Sequence, residues 1–344
     1  MPSGIGGAEF ARLKQCIESF VADLDELSEL LIGCHEQDRM RLQAFVSEQR
    51  SRYPNAAIKL VVHSDPNAYA NPKIAWMKIL VCFATGELWL WSDADIEAPP
   101  GTLQSLRTDL AATGAGVVTS PYIIRGARNS AEFLDALFVN VDFYPGVVMM
   151  SRLNRISFGF GSAMLFEAKR FRWRVDWDRL GGCLADDYEL GRLLAPVRLG
   201  SMRLTTMPAA DNWSGAIRHY LRWQKTIRWC RPVAYAAQLI ILPVLGWLTW
   251  MALNPSEPIG WVGLASVITM DTTAALSVSR SLRCPIGLRG LLTIPLWSLG
   301  RGVAWIACWL PWPIVWRGRK WWSPHQQGKP CAQVLATQRE TGLN

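Results

Sequence analysis

The sequence predicts an α/β domain of the doubly wound kind, followed by a membrane region of apolar helices. Three observations lead there. Helix and strand patterns alternate from the start of the chain to about residue 230. An acidic tripeptide, Asp93-Ala94-Asp95, directly follows the apolar run from Glu87 to Ser92, at the strand end where open α/β sheets gather their functional residues. Past Pro232 the chain enters stretches long and apolar enough to cross a bilayer as helices.

The elements follow in order. Phe10, Leu13, Ile17, Phe20, Val21 and Leu24 recur at helical spacing. Leu30 to Cys34 reads as a strand, 39–52 as a helix ending before Tyr53-Pro54-Asn55, and Ile58 to Val62 as the next strand. Asn71-Pro72 is a helix start, with a capping Asn and a Pro at the first helical position, and launches Ile74 to Phe83. The strand before the acidic pair comes next, then a strand at Gly116 to Ser120, and a helix opens at Asp186-Asp187.

Ala234 to Leu253 is 20 residues without a charge, and Ile259 to Val278 is another 20 carrying only Asp271. The loop between them, Asn254 to Pro258, has no Lys or Arg, whereas the outer flanks are basic; the positive-inside rule therefore puts the α/β domain in the cytoplasm. A third apolar stretch, 291–316, is interrupted by Arg301 and carries Pro311 and Pro313, with basic residues on both sides. It reads as a re-entrant or interfacial element, with a third crossing left open. Asp271 and Arg301 are ionisable groups in apolar surroundings, and either pair with each other or leave Arg301 to snorkel. The expected organisation is a catalytic domain over 1–230, a membrane region over 231–320 and a polar tail over 321–344.

Composition agrees with a membrane partner. Half of the 344 residues are hydrophobic, 18 are Trp, and the formal net charge is +8, with much of the excess after residue 217. Basic residues beside apolar stretches suit a cytoplasmic membrane face, and no nucleic-acid motif is present. The eight cysteines have no metal-ligand spacing and read as buried thiols in a reducing compartment. Residues 1–30 lack the apolar segment of a cleavable signal peptide.

Four features carry chemistry. Asp38 follows the first strand; Asp93 and Asp95 form a hard oxygen site for a divalent cation; Asp186-Asp187-Tyr188 opens a helix; and Lys225, Arg228 and Trp229 lie in a basic, aromatic helix ahead of the membrane region. Singly, each has an ordinary reading as a turn, a cap or a membrane anchor.

Jointly, and with Asn71-Pro72-Lys73, Phe158-Gly-Phe-Gly-Ser162, Leu184 to Gly191, His219 to Arg228 and Trp316 to Arg319, they resemble a family 2 glycosyltransferase of the GT-A fold. The closer resemblance is to the ceramide glucosyltransferase branch, which includes the hopanoid-associated bacterial enzymes. It implies a UDP-sugar donor, a lipid acceptor, and Mg²⁺ or Mn²⁺ on Asp93 and Asp95. By the same resemblance Asp38 meets the uracil ring, Lys73 the nucleotide, Asp187 acts as general base, and Lys225, Arg228 and Trp229 bind diphosphate and shape the acceptor entrance. Gly159 and Gly161 would let backbone approach the sugar or acceptor. One base with direct displacement implies inversion.

Two departures stand out. Lys225 occupies the first position of a motif usually written Gln/Arg-x-x-Arg-Trp, with Gln224 out of register; lysine keeps the charge and loses the planar, bidentate geometry. The strand that opens the sheet in relatives, preceded there by an apolar helix, has no counterpart before Ala8. That implies either a late start or a damaged donor pocket, so a catalytically inactive membrane scaffold stands as the rival; a polysaccharide synthase would need more crossings.

Overall fold

The computed structural model describes residues 6–64, 69–210 and 212–326. Met1 to Ile5 and the part of the expected tail beyond Gln326, with Lys329 and Cys331, lie outside the described residues. The first half runs α1 (Gly7–Val21), β1 (Glu29–His35), α2 (Arg39–Arg52), β2 (Ala57–His63), α3 (Pro72–Leu80), β3 (Leu88–Trp91), β4 (Ile96–Glu97), α4 (Thr102–Thr113) and β5 (Val117–Thr119). Then come β6 (Tyr122–Ile124), α5 (Ser130–Leu137), a π-helical turn, α6 (Tyr144–Arg152), β7 (Met164–Glu167), α7 (Ala168–Arg174), α8 (Trp177–Gly181), α9 (Asp186–Leu194), β8 (Val197–Leu199) and β9 (Leu204–Thr206). The remainder is α10 (Trp213–Cys230), α11 (Pro232–Ala237), α12 (Pro243–Leu253), α13 (Ile259–Leu282), α14 (Leu288–Ala307), β10 (Ile314–Trp316) and β11 (Arg319–Trp321).

Two compact units result, and neither follows the 1–230 boundary. One comprises 1–122, 151–206 and 325–344; the other comprises 123–150 and 207–324. In the first unit β1 and β2 pair in parallel from Glu29↔Ala57 to His35↔His63. A second sheet has the order β3-β7-β5-β8, in which β7 is antiparallel to both neighbours and β5 and β8 are parallel. The expected doubly wound sheet is therefore mixed and divided: among the described residues no strand joins β1-β2 to the four-stranded sheet. Side chains bridge part of that division. The Glu29 carboxylate at the start of β1 accepts from Thr85 N (2.6 Å), Thr85 Oγ1 (2.8 Å) and Gly86 N (3.3 Å), just ahead of β3. Leu30 and Leu90 pack on one apolar cluster with Cys16 and Phe20 of α1 and with Ile96, Ala98, Ala163 and Leu204. Burial of such side chains, at roughly 25 cal/mol per Å², holds the halves of this unit where ladder hydrogen bonds do not.

The second unit is helical. Ser130–Arg152 is a continuous 23-residue helix, apolar enough to cross a membrane, as is the 24-residue Ile259–Leu282. The first of these lies inside the stretch read from sequence as catalytic domain. The expected span at Ala234 to Leu253 is instead two helices bent by 64°. Pro243, at the start of the second, has no N–H to continue the ladder and pushes Leu242 out of helical geometry. The third apolar stretch also differs, since Leu288–Ala307 is one helix that absorbs Pro295, and Ile314–Trp316 is a strand.

Arg301 does pair with Asp271, its Nη2 standing 2.6 Å from Asp271 Oδ2, and its Nη1 reaches Asp142 Oδ1 at 3.0 Å. One guanidinium thus ties α14 to α13 and to the 130–152 helix, the multiple pairing that a charge needs among apolar helices. Among the described residues seven cysteines are free thiols; Cys82, expected buried, is exposed.

Candidate active site

The acidic loop leaves β3 anchored by one side-chain and two backbone hydrogen bonds. Ser92 Oγ donates to Ser162 O (2.7 Å), Asp93 N to Gly161 O (2.9 Å), and Thr206 Oγ1 to Asp95 O (2.9 Å). With the backbone spent this way, both carboxylates remain for other partners. Lys73, in the first turn of α3, meets Asp93 at 2.7 Å and Asp186 at 3.2 Å. Asn71 aligns this helix: its Oδ1 accepts from Lys73 N and Ile74 N, and its Nδ2 donates to Cys183 O (2.9 Å) and Asp186 Oδ1 (3.1 Å). A residue readable as a cap therefore also fixes the loop carrying the second acidic pair.

The acidic residues of that pair have different environments. Asp186 is buried and held by Lys73 and Asn71. Asp187 is half-buried and accepts from Gly161 N at 2.9 Å. Burial first, then the Asp186 charge, push the Asp187 carboxyl up to about 6, against the pull of Lys73. A carboxylate that gains and loses a proton near neutrality is suited to general base work. Burial alone would lower the Lys73 ammonium, but Asp186, Asp93 and Asp187 more than reverse this and keep it charged.

Gly161 joins the two acidic elements. Its carbonyl takes Asp93 N–H, and its own N–H goes to Asp187. A Cβ built on Gly161 would lie 2.6 Å from Asp93 Oδ2 and 3.0 Å from Lys73 Nζ. At Gly159 it would meet Met164 Cε at 2.2 Å and Asp187 O at 2.9 Å. Both glycines thus make room for protein groups of the site itself, a different use from the close approach to sugar or acceptor expected of them.

The donor set fits a divalent cation. Of the carboxylates Asp93, Asp95, Asp186 and Asp187, Lys73 pairs with Asp93 and Asp186, and Arg12 and Lys73 both act on Asp95 through their charge. Asp95 is exposed; crowding by protein and then the Asp93 charge push its carboxyl above the usual range, and a cation would relieve the second cause. No group of three His, Cys, Asp or Glu side chains among the described residues forms a closed metal cage. Asp93 and Asp95 are two oxygen donors, so a divalent cation there would take its remaining ligands from phosphate oxygens and water, the usual habit of Mg²⁺.

Asp38 lies in the turn after β1 and is buried. Lys225, Arg228 and Trp229 belong to α10 of the other unit. Lys225 is buried there, donates to Leu310 O (2.8 Å) and sits 3.8 Å from the Trp312 ring centre. The Arg228 guanidinium lies 5.2 Å from the Trp309 ring centre. These cations are packed by aromatic rings within their unit, a local use of the Trp-rich composition.

A family model, glycosyl transferase family 21, matches residues 7–323 and so spans every residue placed above. The chain belongs to that family. The glycosyltransferase resemblance drawn from the motifs is borne out at the level of this family, and transferase activity follows from it. No curated protein matches the sequence significantly. Among solved structures, this transferase is similar to S. aureus TarS 1-349, at 9% identity and TM-score 0.37, covering 92% of this chain and 94% of that one. A structure of TarS 1-349 with UDP-GlcNAc gives 9% identity, TM-score 0.35 and the same coverage. In another TarS structure the matched region is 62% of this chain and only 37% of that chain. These likenesses are slight, and the family match carries the assignment.

Sequence reasoning named Asp186 within the Asp186-Asp187-Tyr188 feature and Asn71 within the Asn71-Pro72-Lys73 motif, and gave neither side chain a role in the site. Both have a local role, cap and first-turn acid, that accounts for them by itself. Their contacts with residues more than a hundred positions away leave no periodic trace.

Proposed function

We propose that this family 21 transferase moves a hexose, glucose or N-acetylglucosamine, from a UDP-sugar to the hydroxyl of a ceramide-like or hopanoid lipid, with inversion. The observation that carries the reading is the one-glycine junction: Gly161 ties Asp93, of the acidic pair, to Asp187, the carboxylate with a raised pKa. A lipid hydroxyl is a poor nucleophile, and Asp187 takes its proton as it attacks the anomeric carbon. Asp186 cannot share this role while it neutralises Lys73. Lys73 holds Asp93 in place and supplies positive charge beside the leaving diphosphate. When bound at Asp93 and Asp95, the divalent cation supplies electrostatic stabilisation of that leaving group. As the motif resemblance implies, Asp38 serves the uracil ring, and Lys225, Arg228 and Trp229 serve the diphosphate and the acceptor entrance.

The protein acts at a membrane as a multi-pass protein with the α/β unit in the cytoplasm, at the inner membrane of a bacterium. Apolar side chains left in the open support this, among them Ile240 (84% exposed), Val233 (82%) and Leu288 (72%), which water would penalise and acyl chains would not. The divided sheet favours one second reading, an inactive scaffold with a damaged donor pocket. The deciding assay uses membranes holding the protein, radiolabelled UDP-glucose and UDP-N-acetylglucosamine, and a panel of lipid acceptors. A β-linked glycolipid supports the proposal. Absence of product together with absence of UDP-sugar heat in calorimetry supports the scaffold.

A further inference from the structure

The loop 181–185 delivers Asp186 and Asp187, and it is held from two sides. From one side Asn71 donates through its backbone N–H to Gly181 O (2.8 Å) and through Nδ2 to Cys183 O (2.9 Å). From the other side comes the far end of the described chain. Gln326 N donates to Gly182 O at 2.8 Å, and Cys183 and His325 form an antiparallel bridge. The side chains repeat the contact, with Cys183 Sγ 3.2 Å from His325 Nδ1 and 3.2 Å from Arg179 O. A thiol has one proton. Given to the Arg179 carbonyl, it leaves sulfur to accept from an Nδ1–H of His325. Burial pushes the Cys183 thiol up to about 12, so the sulfur keeps that proton at neutral pH.

Gly182 carries the argument further. Its φ of −85° suits any residue, so no turn requires glycine there. A Cβ at Gly182 would instead lie 2.6 Å from Gln326 O, with its other neighbours, Arg179 O and Asp178 O, at ordinary distances of 3.5 and 3.6 Å. The missing side chain makes room for the C-terminal segment and for nothing else near it.

We propose that His325–Gln326 is a strap that locks the Gly182–Cys183 loop, making His325 a positioning residue for the general base Asp187. Cys183 is the node: its carbonyl is bound by Asn71 and its sulfur by His325, three residues before Asp186 on the chain. With the strap released, the loop keeps only its Asn71 side, and the base loses its fixed distance to the attacking hydroxyl. Donor binding rests on Asp93 and Asp95 of the loop after β3 and on Lys73 of α3, none of which the strapped loop carries, and Lys73 keeps its 2.7 Å contact with Asp93. The inference rests on the transferase reading above.

The test compares full-length wild type with Gly182→Ala, His325→Ala and His325→Asn in membranes. The first two lower kcat by about 10- to 100-fold, the usual effect of a misplaced catalytic group, while the KM for UDP-sugar stays within about twofold. His325→Asn, whose amide can still donate to sulfur, recovers most of the rate. Maleimide labelling of Cys183, located by peptide mass spectrometry, is slow in wild type and fast in the two disrupting variants. Unchanged kcat in His325→Ala, or loss of kcat and donor affinity together, overturns the positioning role. Labelling reads the strap without any activity. Fast Cys183 labelling in wild type refutes the strap itself, whereas protected Cys183 in a protein that transfers no sugar refutes the transferase reading.

Discussion

Replacing Gly161 by alanine should damage transfer while leaving the fold standing. The added Cβ would sit 2.6 Å from Asp93 Oδ2, where contact is comfortable only from 3.4 Å, so the carboxylate must retreat by about 0.8 Å. The group that yields is a side chain 41% exposed, free to turn toward solvent, and the cluster loses its 2.7 Å contact with Lys73. Stability therefore changes little, by about 1 kcal/mol or less for a partly exposed pair. Catalysis is less forgiving: a displacement near 1 Å in a positioned group costs about 100-fold. The assay is steady-state transfer from radiolabelled UDP-sugar at several Mn²⁺ concentrations, with thermal melting as the control. The expected result is a kcat lower by about 10- to 100-fold, a raised Mn²⁺ requirement and a nearly unchanged Tm. Wild-type kinetics in Gly161→Ala would refute the claim that Asp93 works in the geometry described.

Activity should rise with pH through about 6, because Asp187 must be ionised to accept a proton and its carboxyl is pushed up to that value; a pH profile of kcat/KM checks this. The same shift has a stability consequence of opposite sense. The native state binds a proton on Asp187 that the unfolded chain has released by pH 4 to 5, so its contribution to stability falls as pH rises from 3.8 to about 6. Melting temperatures of wild type across that window, compared with Asp187→Asn, isolate the term. Lys73→Met removes the one cation shared by Asp93 and Asp186 and should destabilise by about 3–5 kcal/mol, measured by denaturant titration, with donor binding lost. Arg301→Met leaves Asp142 and Asp271 facing each other without their guanidinium, and should lower Tm sharply, whereas Arg301→Lys keeps part of the network.

Local signals in this chain read well. Asn71-Pro72 started its helix where expected, and the strands around 30–34, 58–62 and 88–91 fell within a residue or so of their predicted ends. Turn chemistry and alternating apolar residues are properties of adjacent positions. The arrangement of the sheet was much less legible, because β7 enters antiparallel between β3 and β5 and nothing within Met164–Glu167 declares its direction. The 130–152 helix escaped notice because Glu132, Asp135 and Asp142 break its apolar run. Asp135 meets His219 at 2.7 Å and Asp142 meets Arg301, partners 84 and 159 positions away. At the candidate site the acidic residues were found by type and spacing, and their division of labour was not. It depends on Asn71 and Lys73 reaching Asp186 and leaving Asp187 to Gly161, a choice made by packing.

Asp187→Asn tests the central claim most directly, with UDP-sugar binding and glycolipid formation measured on the same preparation. The amide keeps the shape of the side chain and cannot take a proton. The account predicts that donor affinity in the presence of Mn²⁺ stays within about twofold while product formation falls by about 1,000-fold or more, as expected when a general base is removed. Undiminished transfer would contradict Asp187 as the base, and loss of donor binding would make it a metal or structural ligand instead.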